Sequence, residues 1–292
     1  MRTRHSHTDD QTTIAIADLP RTLTLLHITD SHVALADDRD PDALAYVAAD
    51  QARFAERTPG NVPAAQLLQR ALQHARDLDA DGTALTGDII HYPSHAGIDF
   101  VADGVHSLPG QYLYTMGNHD WYFPHLDWND DTRQAHYSRF AGVTAPSPAA
   151  QTLDLDGVRL LAIDNSNYHM SPDQLSYLHR QLNTPLPCLL FVHIPIAVPT
   201  LMPDVCAVWQ DPIVMAATGW TAAGREKWRI REDDESTLAA RDLLARAENL
   251  VAIFCGHVHF PHADQVSPTC YQYITRPCFE GGYREIRLEP LS

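Results

Sequence analysis

Short apolar segments that end in metal-ligand-type residues recur along this chain, and they constrain its fold more than any other feature. Leu23–Thr29 (LTLLHIT) is apolar and β-branched, which predicts a buried strand, and it runs directly into Asp30-Ser31-His32. Four more clusters follow apolar segments in the same way: Gly87-Asp88, Gly117-Asn118-His119-Asp120, His193, and Gly256-His257-Val258-His259. Strand ends of an open α/β sheet face one crevice, so the pattern predicts an α/β fold that brings the clusters together.

Helix and hairpin patterns lie between these predicted strands. Asn61–Leu78 carries apolar residues at helical spacing, and Ser171-Pro172-Asp173-Gln174 has the N-cap Ser, first-turn Pro and Gln of a helix start. Asp156-Gly157 between two apolar segments predicts a type I′ hairpin. The chain therefore alternates strands and helices and includes some antiparallel pairing.

The domain organisation predicted from these patterns is simple. Residues 21–292 are expected to form one domain, preceded by a flexible N-terminal segment over residues 1–20. Residues 199–235 show no clear period, contain several Pro and Gly residues and close on a charged run, so they are interpreted as a loop excursion.

Charge and cysteine content narrow the possible partners and compartment. The 292 residues include 21 Lys plus Arg and 37 Asp plus Glu, a net charge of −16 that repels nucleic acid and anionic lipid. No apolar stretch reaches membrane-spanning length, and the N-terminus lacks the apolar run of a signal peptide. Five cysteines without a CxxC pair favour a reducing compartment, so we expect a cytoplasmic protein; its oligomeric state stays open.

Each polar cluster taken alone has an ordinary structural explanation. Asp-x-His and Gly-Asp are typical of caps and turns, and a single His at a strand end is more often a buried, hydrogen-bonded imidazole. Five such clusters together share carboxylate, imidazole and amide groups and contain no thiolate, which indicates a site for hard or borderline metal ions.

In this order the clusters resemble the signature of the calcineurin-like metallophosphoesterase superfamily, over roughly Leu23 to Phe260. That signature is Asp-x-His, Gly-Asp, Gly-Asn-His-Asp/Glu, a lone His and Gly-His-x-His. The resemblance implies a four-layer α/β/β/α sandwich with two stacked mixed β-sheets. It also implies two divalent or trivalent transition-metal ions, with Mn, Fe and Zn all compatible with the ligand types.

The resemblance also implies a role for each residue of the signature. The first metal would be held by Asp30, His32 and His259, the second by Asn118, His193 and His257, and both by Asp88. A hydroxide that bridges the metals would attack the phosphate ester in line. His119 would protonate the leaving group, with Asp120 orienting its imidazole. Two divalent ions and two carboxylates would leave this site cationic, which would let an acidic protein bind the small phosphorylated substrate that the resemblance implies.

Departures from relatives favour some branches over others. Ile89-Ile90-His91-Tyr92 follows Asp88 where Ser/Thr protein phosphatases carry Asp-Arg-Gly, and the strong negative charge argues against a nuclease. His193-Ile194-Pro195 is similar to purple acid phosphatases, but His91 stands at the position of their metal-binding Tyr. The chain resembles most the bacterial branch that includes cyclic-nucleotide and glycerophosphodiester phosphodiesterases. Phosphodiester hydrolysis is therefore favoured, with a phosphomonoesterase as the alternative.

Two further questions stay open at this level. Some members of the superfamily are non-catalytic binding scaffolds, although the presence of both Asp88 and His119 favours an enzyme. All the tryptophans lie in the segment after Asp120 or in the excursion after His193: Trp121, Trp128, Trp209, Trp220 and Trp228. They either wall the cleft, with His91, Tyr122 or Arg225 contacting the substrate, or pack the two loops into a small satellite core.

Overall fold

The structure is a computed structural model that describes residues 1–144 and 147–291. The described residues form twelve strands and eight α-helices. The strands are β1 (Thr3–His7), β2 (Gln11–Ile16), β3 (Leu23–Ile28), β4 (Gly82–Thr86), β5 (Gln111–Thr115), β6 (Ala150–Leu155), β7 (Val158–Ile163), β8 (Cys188–Phe191), β9 (Leu250–Cys255), β10 (His262–Gln265), β11 (Tyr271–Ile274) and β12 (Arg284–Pro290). The helices are α1 (Leu44–Arg57), α2 (Ala64–Asp77), α3 (His95–Val105), α4 (Asp130–Tyr137), α5 (Pro172–Leu182), α6 (Met202–Trp209), α7 (Ala222–Trp228) and α8 (Glu235–Arg246).

The strands form two mixed six-stranded sheets. The first has the order β1-β2-β12-β3-β4-β5 and the second the order β10-β11-β9-β8-β7-β6. Strands β3, β4 and β5 are parallel, as are β7, β8 and β9. The hairpin predicted at Asp156-Gly157 is confirmed, because β6 and β7 pair antiparallel around it.

The two sheets pack face to face, and helices cover their outer faces. Leu25 of the first sheet and Phe191 and Phe254 of the second belong to one buried apolar cluster between the sheets. A second cluster joins the first sheet to α2 and α3, and a third joins the second sheet to α5 and α8. The predicted α/β/β/α sandwich is confirmed. It places the carboxyl ends of β3, β4, β5, β8 and β9 at one site.

Local sequence explains the helices that position these strands. In α2 the predicted apolar stripe is buried, including Leu68 and Leu72, and each such side chain stabilises the fold by about 1.5–3 kcal/mol. In α5, Ser171 and Gln174 form the predicted capping box. No helix within the described ranges is both long and apolar enough to cross a membrane.

The N-terminal segment differs from its expected flexibility. Residues 1–20 contain β1 and β2, and β2 pairs in parallel with β12 near the other end of the chain. Ile14 and Ile16 are fully buried, and the buried Arg284 guanidinium donates to backbone carbonyls of Thr8 and Asp9. The sequence prediction missed this order because the pairing partner comes from the distant C-terminal strand.

The excursion over residues 199–235 also differs from a plain loop. It contains the short helices α6 and α7, and Val205, Val214 and Met215 are buried against the outer face of the second sheet. A bridge between Ile196 and Met215 attaches it to the end of β8. The many Pro and Gly residues keep both helices to eight residues or fewer. Helices this short do not show a recognisable helical repeat of apolar residues in the sequence.

Candidate metal centre

The loops after β3, β4, β5, β8 and β9 bring the five polar clusters into contact. His193 Nε2 lies 3.2 Å from Asp88 Oδ2, and His259 Nε2 lies 3.2 Å from Asp30 Oδ1. His32 Nε2 is 3.8 Å from an oxygen of each of these two carboxylates. Residues from both sheets therefore converge on one buried crevice.

Most of these residues have a left-handed backbone conformation. The φ angles are 52° at Asp30, 47° at His32, 51° at Asp88, 69° at His257 and 61° at His259. Such conformations are unfavourable for side chains larger than glycine and cost about 1–3 kcal/mol each. The left-handed conformation turns these side chains away from the direction of their strands and into the crevice. Backbone strain concentrated in this way is typical of a functional site.

Two motif glycines allow the loops to approach the carboxylates. A Cβ atom on Gly117 would lie 2.2 Å from Asp88 Oδ1, and one on Gly256 would lie 2.2 Å from Asp30 Oδ2. Any side chain at either position would displace the carboxylate. The glycines that open the Gly-Asn-His and Gly-His elements therefore have a packing role at this site.

Each carboxylate has one oxygen held by hydrogen bonds and one that faces the crevice. Asp30 Oδ2 accepts from the Thr29 hydroxyl and the His257 backbone N–H, while Oδ1 has no hydrogen-bond partner. Asp88 Oδ1 accepts from the His119 backbone N–H, while Oδ2 faces the imidazoles of His32 and His193. A buried oxygen left unpaired, as Asp30 Oδ1 is, is costly unless a cation binds it.

The imidazoles and the amide repeat this arrangement. His193 Nδ1 lies 2.8 Å from the Thr86 carbonyl, and its Nε2 has no hydrogen-bond partner. His257 Nε2 lies 2.7 Å from the Tyr168 hydroxyl, which leaves its Nδ1 available. The buried Asn118 Oδ1 is also unpartnered. These atoms fit metal ligands whose other ring nitrogen is fixed by a hydrogen bond.

The ligand atoms that face the crevice form two groups, and Asp88 Oδ2 lies near residues of both. The ligand atoms of Asp30, His32 and His259 lie within 4.8 Å of one another, and we call these residues the first half-site. Those of Asp88, His193 and His257 are equally close. We call His193, His257 and Asn118 the second half-site.

The electrostatics of the cluster are those of a cation site. Burial alone would raise the pKa of Asp88, but the neighbouring His193 and His119 hold it well below its usual range. Burial opposes protonation of His193, yet the charge of Asp88 raises its pKa to about 10. Without metal, the His193 imidazole is therefore protonated, and its charge lies 3.2 Å from Asp88 Oδ2 without the geometry of a hydrogen bond. A metal ion at the second half-site would displace that proton.

The sequence profile of the calcineurin-like phosphoesterase family matches residues 23–261. The chain belongs to this family. It is a metal-dependent phosphoric ester hydrolase, and its clustered Asp and His side chains form a dinuclear metal site.

Solved structures agree with this family fold. A dimetal phosphatase from Danio rerio superposes with a TM-score of 0.53 at 13% identity, covering 89% of both chains. A purple acid phosphatase from yellow lupin (Lupinus luteus) seeds gives a TM-score of 0.53 at 11% identity, covering 93% of this chain and 46% of that one. Likeness at such low identity shows the fold alone. A search of curated proteins gives no match.

Asp120 does not have the position that the sequence predicts for it in this phosphoesterase. Its two oxygens accept from the backbone N–H groups of Asp88, Ile90 and Gly117 and from the Tyr114 hydroxyl. No hydrogen bond to the His119 ring is found among the described residues. Burial, reinforced by the charge of Asp88, raises the pKa of Asp120 to about 7. Asp120 therefore joins the loops after β4 and β5 and does not orient His119.

His119 lies beside the first half-site. Its half-buried ring stacks on His91 at a centroid distance of 4.2 Å and meets the edge of His32 at 5.0 Å. Burial and the neighbouring His91 lower the pKa of His119 to about 3. The expectation of a protonated imidazole supported by Asp120 therefore does not hold for the free enzyme, in which the ring is neutral.

Of the three residues expected to contact substrate, only His91 is found against the metal-ligand residues. It is 3% exposed and lies between His32 and His119, so its position is an internal one. The Tyr122 hydroxyl accepts from Arg229 at 2.5 Å. Arg225 lies over the Trp220 ring and donates to a backbone carbonyl within the excursion, because α7 turns it that way.

The tryptophans divide between the two interpretations offered by the sequence. Trp121 is fully buried and donates to Ser166, so it packs the core. Trp209 lies 5.5 Å from the ring of His259 and donates to the Val258 carbonyl. Trp209 therefore places the excursion directly against the first half-site.

Three residues that contact the site residues lie outside the motifs. Tyr168, which contacts His257, and Thr86, which contacts His193, hold the second half-site. Asp50 of α1 contacts His91. Only Thr86 had a sequence signal, since it ends a predicted strand.

Proposed function

We propose that this phosphoesterase hydrolyses phosphodiesters with two metal ions, one in each half-site, and with Asp88 shared between them. The observation that carries the proposal is the set of buried, unpartnered ligand atoms: Asp30 Oδ1, Asn118 Oδ1 and His193 Nε2. The fold carries two unfavourable energies at this site: the desolvation of these atoms and the backbone strain at five ligand positions. Bound cations would compensate the cost.

The charge of the site favours a diester. Asp30 and Asp88 are the carboxylates of the ligand set, so two divalent ions leave a modest positive excess. In the ranges 1–144 and 147–291, the ion pairs of the ligand residues involve only Asp and His, with no Lys or Arg. A singly charged diester needs less positive charge than a dianionic monoester. When bound, the metals supply a nucleophile at neutral pH and stabilise the phosphoryl charge.

Monoester hydrolysis by the same residues is the second candidate function. Both solved relatives are described as phosphatases, and the fold they share with this chain supports a related reaction. The ligand set is compatible with either class. Relative rates on matched esters separate the two.

We assign proton donation to His119. Its half-buried ring is the titratable group beside the first half-site that has no carboxylate partner among the described residues. Its low pKa follows from burial and from His91, and a bound phosphate anion would favour the protonated ring. The imidazole then places its N–H against the leaving oxygen. Asp120 contributes by holding the Asp88 loop.

The ligand types, the cysteines and the side chains around the site bear on the metals, the compartment and the substrate contacts. Imidazole, carboxylate and amide ligands without thiolate suit Mn, Fe or Zn. All five cysteines are free thiols, and four of them are buried, which fits a reducing compartment such as the cytoplasm. We place Tyr122 at the edge of the substrate site. His91 and Arg225 are withdrawn as substrate contacts because their side chains are engaged within the protein.

The test is hydrolysis by metal-stripped and metal-restored enzyme. Chelation should abolish hydrolysis of bis(p-nitrophenyl) phosphate, and Mn²⁺ should restore it, with p-nitrophenyl phosphate hydrolysed more slowly. Full activity in metal-free protein overturns the mechanism. Faster monoester hydrolysis selects the second candidate. Two bound ions with no hydrolysis of either ester would indicate a binding scaffold.

A further inference from the structure

A chain of three side chains leads away from the metal site into helix α1. His32 Nε2 faces the carboxylates of the site, and its Nδ1 lies 2.9 Å from Nδ1 of His91. On the far side, His91 Nε2 lies 3.4 Å from Asp50 Oδ2. His91 is 3% exposed and the Asp50 side chain 13%, so water has little access to this chain.

Proton positions along this chain are linked. A metal at His32 Nε2 requires a lone pair there, so the proton of the neutral ring must be on Nδ1. His91 Nδ1 must then accept it, and the His91 proton is left on Nε2. That nitrogen faces Asp50, whose negative charge favours an N–H at this position. One arrangement of protons therefore satisfies all three residues and leaves Nε2 of His32 free.

Two neighbouring side chains, Phe54 and Tyr92, fix the ends of this chain. The Phe54 ring stacks on His32 at 4.8 Å, and the Tyr92 hydroxyl donates to Asp50. Arg53 is 2.7 Å from Asp50 Oδ1 and 3.3 Å from His91 Nε2. A guanidinium only donates, so a true hydrogen bond from Arg53 to His91 would require the opposite proton arrangement. That arrangement would put a proton on His32 Nε2 and block the metal.

We infer that Asp50 is a positioning residue for the metal at the first half-site. Acting through His91, it fixes the proton of His32 on Nδ1 and aims Nε2 at the ion. The inference rests on the proposed function, in which His32 is a ligand. It gives His91 a supporting role that the sequence did not indicate, and it makes Arg53 dispensable. Supporting groups of this kind are worth about tenfold to a hundredfold in metal affinity.

The experiment is a titration of the full-length apoprotein with Mn²⁺. Wild type should bind two ions, with the exchange-coupled EPR spectrum of a dinuclear Mn²⁺ pair. Asp50→Asn and His91→Phe should each lower the affinity for one of the two Mn²⁺ ions by about tenfold to a hundredfold. The affinity for the other ion should stay unchanged. The EPR spectrum should become that of a single ion at intermediate Mn²⁺. His91→Gln, whose side-chain oxygen can accept the His32 proton, should recover part of the loss.

The matched control is Arg53→Met on the same turn of α1. It removes the other group near His91 Nε2 and should bind both ions with wild-type affinity. If Arg53→Met loses as much Mn²⁺ affinity as Asp50→Asn, the inference is overturned. It is also overturned if Asp50→Asn binds Mn²⁺ with wild-type affinity, or if Asp50→Asn weakens the binding of both ions equally. If Asp50→Asn does not fold, the difference between His91→Phe and His91→Gln decides. Failure of wild type to bind two ions would instead refute the proposed function.

Discussion

The metal-ligand residues and the excursion over residues 199–235 lie side by side but are built differently. The ligands follow strand ends, are mostly buried, and are fixed by hydrogen bonds to backbone and side chains. The excursion buries apolar residues beneath it but reaches the site through few contacts, chiefly Trp209 on His259. The sandwich therefore fixes the ligand residues, while the excursion touches them at one edge through Trp209.

The two regions also differ in backbone strain. Left-handed φ angles occur at five of the seven ligand positions, where buried hydrogen bonds hold them. In the excursion two such residues, Gln210 and Arg229, lie at helix ends, where they end α6 and α7. Variants in the first region should alter metal binding and rate. Variants in the second should alter the choice of substrate.

The largest effect is expected from Asp88→Asn. It removes the charge shared by both half-sites, so both ions should be lost together with several kcal/mol of transition-state stabilisation. Activity should then fall by about a thousandfold or more. Metal analysis alongside kinetics checks this. Asp40→Asn, at a buried carboxylate paired with Arg139, is the matched control and should keep both ions. Full metal content in Asp88→Asn would contradict a shared ligand.

His119→Ala should separate rate from metal binding. Both ions should remain, while hydrolysis of esters with poor leaving groups falls by about a hundredfold to ten-thousandfold. The loss should be smaller for nitrophenyl esters, because nitrophenolate departs without a proton. His125→Ala, in the same loop and exposed, is the control. Equal losses on all esters would exclude His119 as the proton donor.

His27 should make the stability of the sheet core depend on pH. It is fully buried between Thr86 and Thr275, and burial, followed by the charge of Arg284, lowers its pKa to about 3. The unfolded chain takes up a proton below pH 6.5 and the folded chain does not. The free energy of unfolding should therefore fall with falling pH, by about 1.4 kcal/mol per pH unit from this residue.

Urea unfolding between pH 6.5 and 4.5 measures this slope. His27→Gln should make it shallower by roughly that amount. The exposed His179→Gln in α5 should leave it unchanged. A wild-type slope in His27→Gln would mean that the imidazole is not kept neutral by the fold.

The smallest effect is expected from Arg229→Leu in the excursion. Arg229 donates to Tyr122 and lies 5.0 Å over its ring, which joins the excursion to the loop after β5. Loss of about 0.5–1 kcal/mol should change kcat/KM by about fivefold or less, and mainly through KM for bulky diesters. Arg225→Leu is the control. A large fall in kcat on a small ester would place Arg229 in the reaction itself.

Sequence reasoning succeeded where the signal is local. The strands before each cluster, the helix α2 and the hairpin at Asp156-Gly157 follow from residue spacing that neighbouring residues create. It failed where the partner is distant. The strand β2 depends on β12, and α6 and α7 depend on the outer face of the second sheet. The role of Asp120 was mispredicted because two of its donors, the N–H groups of Asp88 and Ile90, lie in another loop.

The sequence by itself determined the family, the order of the ligand-type residues and their placement at strand ends, because those are properties of short contiguous segments. Only the tertiary structure decided which oxygen of Asp30 and Asp88 is left free. It also decided that His91 supports His32 and that Trp209 meets His259. The physical reason is that a ligand atom becomes available only when other segments form hydrogen bonds with the remaining polar atoms of its side chain. Those segments are far apart in sequence, so tertiary packing decides whether they meet.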